Sequence, residues 1–121
     1  MDDSIVWQLV TAAFSGWYDA KIIIERAGMI STDAMHVIAG VLLQLLFATI
    51  LRRPLSAWLP WLAVLAVLLF NEAVDLWVER WPSLAMQIGE AVKDLLLTML
   101  LPTALLVAFR LSPALRHSRR R

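Results

Sequence analysis

The chain has 121 residues, 60% of them hydrophobic and only 17% charged, with a mean hydropathy of +0.71; soluble domains carry about 25% charged residues, so the composition argues against a water-soluble globule and for lipid around much of the surface. One domain is the ceiling at this length, and eleven bases against ten acids argue against a dedicated nucleic-acid binder. The absence of cysteine removes disulfides, Cys-based zinc sites, iron–sulfur clusters and thiol nucleophiles.

Met1-Asp2-Asp3-Ser4 lacks the basic region of a secretory signal, and no small-residue cleavage site follows a compact apolar core, so the mature chain is expected to keep its N-terminus. Residues 4–26 are predicted as an amphipathic helix. Ser4, Gln8, Thr11, Ser15, Asp19 and Arg26 recur at helical spacing, while Ile5, Val6, Leu9, Val10, Phe14, Trp17, Ile23 and Ile24 fill the other face. Trp7, Trp17 and Tyr18 suit a helix lying in the membrane interface, with a fourth span as the alternative.

Three apolar stretches follow. Residues 34–51 are interrupted only by His36 and Gln44, and residues 55–70 and 95–109 carry no charge. Crossing the ~30 Å hydrocarbon core takes ~20 residues at ~1.5 Å each, so each helix must include flanking residues. The predicted spans are 33–51, 55–77 and 90–110. Trp58 and Trp61 at one end of the second, with Trp77 and Trp81 at the other, match aromatic belts. Pro54 suits a helix start, Pro82-Ser83 a turn, and Ser112-Pro113 a helix end. Pro102 inside the third span predicts a kink that frees the Thr98 carbonyl for a neighbouring helix or side chain. The expected architecture is an all-α polytopic membrane protein, a single domain over 1–121, with three transmembrane helices, an N-terminal amphipathic interfacial helix and a basic cytoplasmic tail at 111–121.

Charge is strongly segregated along this plan. Arg52 and Arg53 occupy the loop between the first two spans, and Arg110, Arg116, Arg119, Arg120 and Arg121 follow the third, with no acid among these seven. The positive-inside rule therefore puts that loop and the C-terminus in the cytoplasm of a bacterial-type inner membrane, with the N-terminus outside. The opposite side then holds all ten acids against Lys21, Arg26, Arg80 and Lys93, so the net charge of +1 conceals a separation across the membrane.

Asp33, His36, Glu72, Asp75, Glu90 and Asp94 are brought to one leaflet by three different helices. Asp33 and His36 are three residues apart, Glu72 and Asp75 likewise, and Glu90, Asp94 and Thr98 step by four, so each set shares a helix face. Ionisable groups near lipid turn inward or toward water and pair with one another, which makes this set the candidate site. Local roles compete for several members. Asp33 suits an N-cap, Glu90 the dipole of the third helix, His36 a hydrogen bond to Asp33 or Glu72, and Gln44 a contact satisfied across the bundle. Glu79, Arg80 and Lys93 read as solvated charges. Carboxylates beside a histidine can perform acid–base work on a lipid-linked substrate, but no nucleophile motif or phosphate-binding glycine loop accompanies them. No compact ligand motif such as His-Glu-x-x-His occurs, so no metal and no cofactor is assigned, and whether the chain is an enzyme stays open.

Asp33-Ala-Met-His36, Asn71-Glu72-Ala-Val-Asp75 and Asp94 together resemble the VanZ-like family of small membrane proteins, over about residues 33–110. That family has an Asp/His element opening one helix, a Glu-x-x-Gln-like element ending the next and an Asp opening the third. Asp75 stands here in the place of the Gln, and Thr98 in the place of an Asn four residues after the last Asp. The resemblance implies a cell-envelope role linked to glycopeptide resistance and supplies no reaction. The leading expectation is binding of a lipid headgroup, lipid-linked precursor or amphiphile, with membrane lipids as partners and no nucleic acid. An accessory or scaffold subunit of a larger membrane complex is the first alternative, and a holin-like membrane-permeabilising homo-oligomer the second.

Overall fold

The computed structural model describes residues 3–28 and 30–112. They form four helices: α1 (Asp3–Gly28), α2 (Thr32–Ile50), α3 (Trp58–Val78) and α4 (Leu84–Leu111). There is no strand among the described residues. α2, α3 and α4 are each long and apolar enough to cross a membrane. The basic tail and Pro113 lie outside the described residues.

Local chemistry sets the helix ends. Ser31, not Asp33, caps α2, its Oγ accepting from Ala34 N at 3.2 Å, and Asp33 sits in the first turn. Ser83 caps α4 by accepting from Met86 N at 3.2 Å. The predicted turn at Pro82-Ser83 is therefore present, and it starts α4 six residues before Glu90. Glu90 consequently lies well past the helix end whose dipole it was expected to complement. Pro54 does not start α3. It sits in a turn closed by Ala57 N to Pro54 O at 2.9 Å, and Pro60 takes the third helical position, where no intrahelical N–H is needed. α2 ends in a Schellman arrangement, with Arg53 N bonded to Ala48 O at 2.9 Å and Arg52 N to Thr49 O at 3.1 Å. Arg52 closes it at φ 51°, a left-handed conformation usually given to glycine.

Cross-helix contacts define the topology. Trp61 Nε1 donates to Thr103 Oγ1 at 3.0 Å, and Arg110 Nε donates to Ser56 O at 2.9 Å, while Gln87 Nε2 reaches Leu76 O at 3.2 Å. α3 and α4 are thus antiparallel, and α2 runs with α4. Pro60, Val64, Leu68 and Glu72 form one buried stripe on α3, stepping by four. Val64 and Leu68 pack with Met99 as the core, flanked by Leu43, Phe47, Trp61, Leu65 and Leu95. Most other large apolar side chains, including Leu42, Leu46, Leu69, Phe70, Leu96 and Leu100, point outward, as a lipid-facing surface requires.

α2 and α4 approach closely where glycine faces a proline-modified turn. Pro102 is fully buried and cannot donate the backbone bond that Thr98 O would accept. An ideal Cβ on Gly40 would stand 2.0 Å from that same oxygen. The freed carbonyl is therefore turned against the Gly40 backbone, where a Cα–H···O contact is available. The neighbouring helix expected at this position is α2. Gln44, one turn further along α2, is fully buried, and neither its Nε2 nor its Oε1 has a partner, contrary to the expected contact across the bundle.

α1 packs on α3. Phe14 meets Phe70 edge-on with centroids 6.0 Å apart, Trp17 Nε1 donates to Asn71 Oδ1 at 3.2 Å, and Lys21 pairs with Asp75. The contacts advance together along both helices, over ~10 Å of α1 at ~1.5 Å per residue, so α1 runs alongside α3 in the same direction here.

Candidate functional site

The helix order gathers the N-termini of α2 and α4 and the C-terminus of α3 at one end of the bundle. An open cavity of about 340 Å³ lies there. Its lining contains the carboxylates of Glu25, Asp33, Glu72, Asp75, Glu79, Glu90 and Asp94 against a single base, Lys93. The other end is basic, with Arg52, Arg53 and Arg110, and the Arg110 guanidinium stacks over Trp58 at 4.5 Å.

The six sequence-predicted residues all reach this end but divide into three groups. His36, Glu72 and Asp94 converge, with Glu72 and Asp94 lining the cavity. His36 Nε2 lies 3.2 Å from Asp94 Oδ2, and His36 Nδ1 lies 3.0 Å from Thr98 Oγ1. The histidine partners are thus Asp94 and Thr98 on α4, rather than Asp33 or Glu72. Helical spacing explains the choice, because Asp94 and Thr98 are one turn apart and bracket the ring from one face of α4. Glu72 is buried at 7% exposure beside them, and Asn71 Nδ2 donates to its Oε1 at 3.3 Å.

Asp75 belongs to a second group, built around Asn71. Asn71 Oδ1 accepts from Lys21 Nζ at 3.1 Å as well as from Trp17, and its Nδ2 donates to Asp75 Oδ2 at 3.1 Å. Lys21 also bonds to Asp75 Oδ1 and lies 5.6 Å from the centre of the Tyr18 ring. α1 thereby inserts its own ammonium between a carboxylate, an amide oxygen and an aromatic face. Burial and the carboxylates of Glu79 and Asp75 raise the Tyr18 phenol above its ordinary value, so it stays neutral.

Asp33 and Glu90 form the third group, at the rim. Lys93 bridges them, with Nζ 3.1 Å from Asp33 Oδ1 and 2.6 Å from Glu90 Oε2. All three are about half exposed, so each pair contributes at most ~1 kcal/mol. Lys93, expected as a solvated charge, instead ties α2 to α4. Glu79 accepts from Trp81 Nε1 at 2.5 Å, and Gln87 Nε2 approaches the Glu79 carbonyl at 3.4 Å, holding the α3–α4 turn over the cavity.

Sequence reasoning missed Lys21 and Asn71 as members of the site. The repeat of Trp17 and Lys21 at i and i+4 on α1, matched to Asn71 and Asp75 at i and i+4 on α3, is the signal that could have found them. No family model, no curated protein and no solved structure matches the chain.

Proposed function

We propose that this chain is a multi-pass protein of a bacterial-type inner membrane that binds the positively charged headgroup of an amphiphile in its acidic cavity. The observation that carries the reading is the lining: seven carboxylates against one lysine, at the end of three helices apolar enough to span a bilayer. A cavity of one sign with low-dielectric walls concentrates the opposite charge, and the apolar helix surfaces beside it offer a place for an acyl chain. The internal Lys21 supports an amine in particular, since its ammonium already rests on Asp75 and Asn71.

The Arg52-Arg53 loop and Arg110 favour the cytoplasmic side for their end of the bundle, which supports an outer-leaflet position for the cavity. A cell-envelope role of the VanZ-like kind is the family-level form of the same proposal. Titration of a single-chain alkylamine into the protein in neutral detergent tests it. Saturable one-to-one binding is expected, at least ~10-fold tighter than for the alcohol of equal chain length and weakened in Asp33→Asn/Glu90→Gln, because a charge at an acid-lined site is worth ~1.4 kcal/mol or more. Equal affinity for amine and alcohol would overturn the reading. Recovery of a stoichiometric membrane partner whose bases fill the cavity would replace it with the scaffold-subunit alternative.

A further inference from the structure

Three helices each deliver one metal-ligating group to one place in the bundle, where Glu72 and Asp94 line the cavity and His36 stands behind Asp94. A nitrogen of His36 on α2, a carboxylate oxygen of Glu72 on α3 and one of Asp94 on α4 all lie within 4.8 Å of one another. His36 Nε2 and Asp94 Oδ2 are 3.2 Å apart. That separation matches the ~3.3 Å edge of a tetrahedron whose ligands stand ~2.0–2.1 Å from a zinc-sized ion.

Two features distinguish this grouping from a closed polar network. Asp94 Oδ1 is shielded from solvent and has no hydrogen-bond partner. Glu72 is more than nine-tenths buried, yet no basic side chain pairs with it, and its one hydrogen bond is the 3.3 Å contact from Asn71. Two carboxylates taken out of water around one imidazole are penalised by desolvation unless a proton or a further cation joins them. The imidazole is also oriented for ligation. In the tautomer protonated on Nδ1, that N–H donates to Thr98 Oγ1 at 3.0 Å and leaves the Nε2 lone pair facing Asp94, an outer hydrogen bond of the kind metal-bound histidines ordinarily carry.

We infer that His36, Glu72 and Asp94 bind one divalent transition-metal ion, zinc-like in size and ligand preference. One imidazole with two carboxylates suits zinc, cobalt, manganese or iron better than calcium or magnesium, which favour all-oxygen sites. The open side of the cavity leaves a coordination position for water or for a donor atom of a bound ligand. The ion site stands apart from the amine proposal, because the carboxylates of Asp33, Asp75, Glu79 and Glu90 are not its ligands. Amine binding measured on metal-free protein therefore tests that proposal separately.

The experiment uses the full chain carrying His117→Ala, purified without a polyhistidine tag, so that His36 is its sole imidazole. Titration with Co2+ is expected to load one ion per chain with the intense visible absorption of a four- or five-coordinate site, bleached by Zn2+. His36→Ala and Glu72→Gln should lose that absorption, Glu90→Gln should keep it, and Thr98→Val should weaken the affinity by about 10- to 100-fold. Failure to load Co2+, or equal absorption in folded His36→Ala, overturns the inference. Pulsed electron paramagnetic resonance on the Cu2+-loaded parent needs no substitution at the site. Imidazole nitrogen coupling is expected, and its absence in the folded protein overturns the inference even if the ligand variants do not fold.

Discussion

Gly40 and Thr98 meet backbone to backbone: the carbonyl oxygen that Pro102 leaves without its helical donor is turned onto Gly40, 2.0 Å from where a β-carbon would stand. A methyl there collides with main chain rather than with a movable side chain. Gly40→Ala is expected to force α2 and α4 apart and destabilise the fold by about 1–3 kcal/mol. Pro102→Ala restores the donor for Thr98 O, so the double variant should lose less stability than the two single losses combined. Chemical unfolding in detergent followed by helical circular dichroism measures this, and strict additivity would show that the two residues act independently.

Gln44 places an amide with two unpartnered atoms in the fully buried part of the bundle. Replacing it by Leu keeps the volume and removes the polar atoms, so Gln44→Leu should stabilise the protein by about 1–3 kcal/mol. A rise in the thermal midpoint is the expected reading, and a fall would mean that the amide is satisfied in the membrane-embedded protein.

Lys21 is a tethered competitor for any amine in the cavity, since it already pairs with Asp75 and Asn71. Lys21→Met should tighten alkylamine binding by about threefold to tenfold, as an intramolecular cation is removed from the site. It should also loosen α1, which shows as faster proteolysis after Tyr18 than in the parent chain. Unchanged amine affinity would separate Lys21 from the binding site.

Arg52 adopts a left-handed conformation at φ 51° to close α2. A side chain there opposes a conformation that costs roughly 1–2 kcal/mol relative to the right-handed one, and glycine removes that penalty. Arg52→Gly is expected to raise stability by about 1 kcal/mol in thermal unfolding, while Arg53 retains a positive charge in the loop.

The apolar helices α2, α3 and α4 were legible because long uncharged apolar runs have few other uses, and the α3–α4 turn because Ser83 follows a proline. The step of four from Asp94 to Thr98 correctly placed both on one face, and the structure puts His36 against that pair. Pairing across helices was harder to read. Which acid meets His36 depends on the relative rotation of α2 and α4, and the close approach of Gly40 to Thr98 that accompanies it has no signature in a single sequence. Ser31 displaced Asp33 as the cap because two capping residues stood two positions apart and either could begin the helix. Lys21 looked like an ordinary charge on an amphipathic helix until α3 brought Asn71 and Asp75 beside it.

The burial of Glu72 within α3, at the inner side of a cavity whose rim is Asp33 and Glu90, gives the site depth along the helix axes. In the orientation proposed above, with the cavity on the outer face of an energised membrane, a cation travelling from rim to Glu72 would move toward the negative side. A full crossing by one charge is worth ~2.3 kcal/mol per 100 mV, and the cation gains the fraction of it that corresponds to that depth. Occupancy at Glu72 would then respond to the membrane voltage, and a divalent ion would gain twice as much as an amine at equal depth.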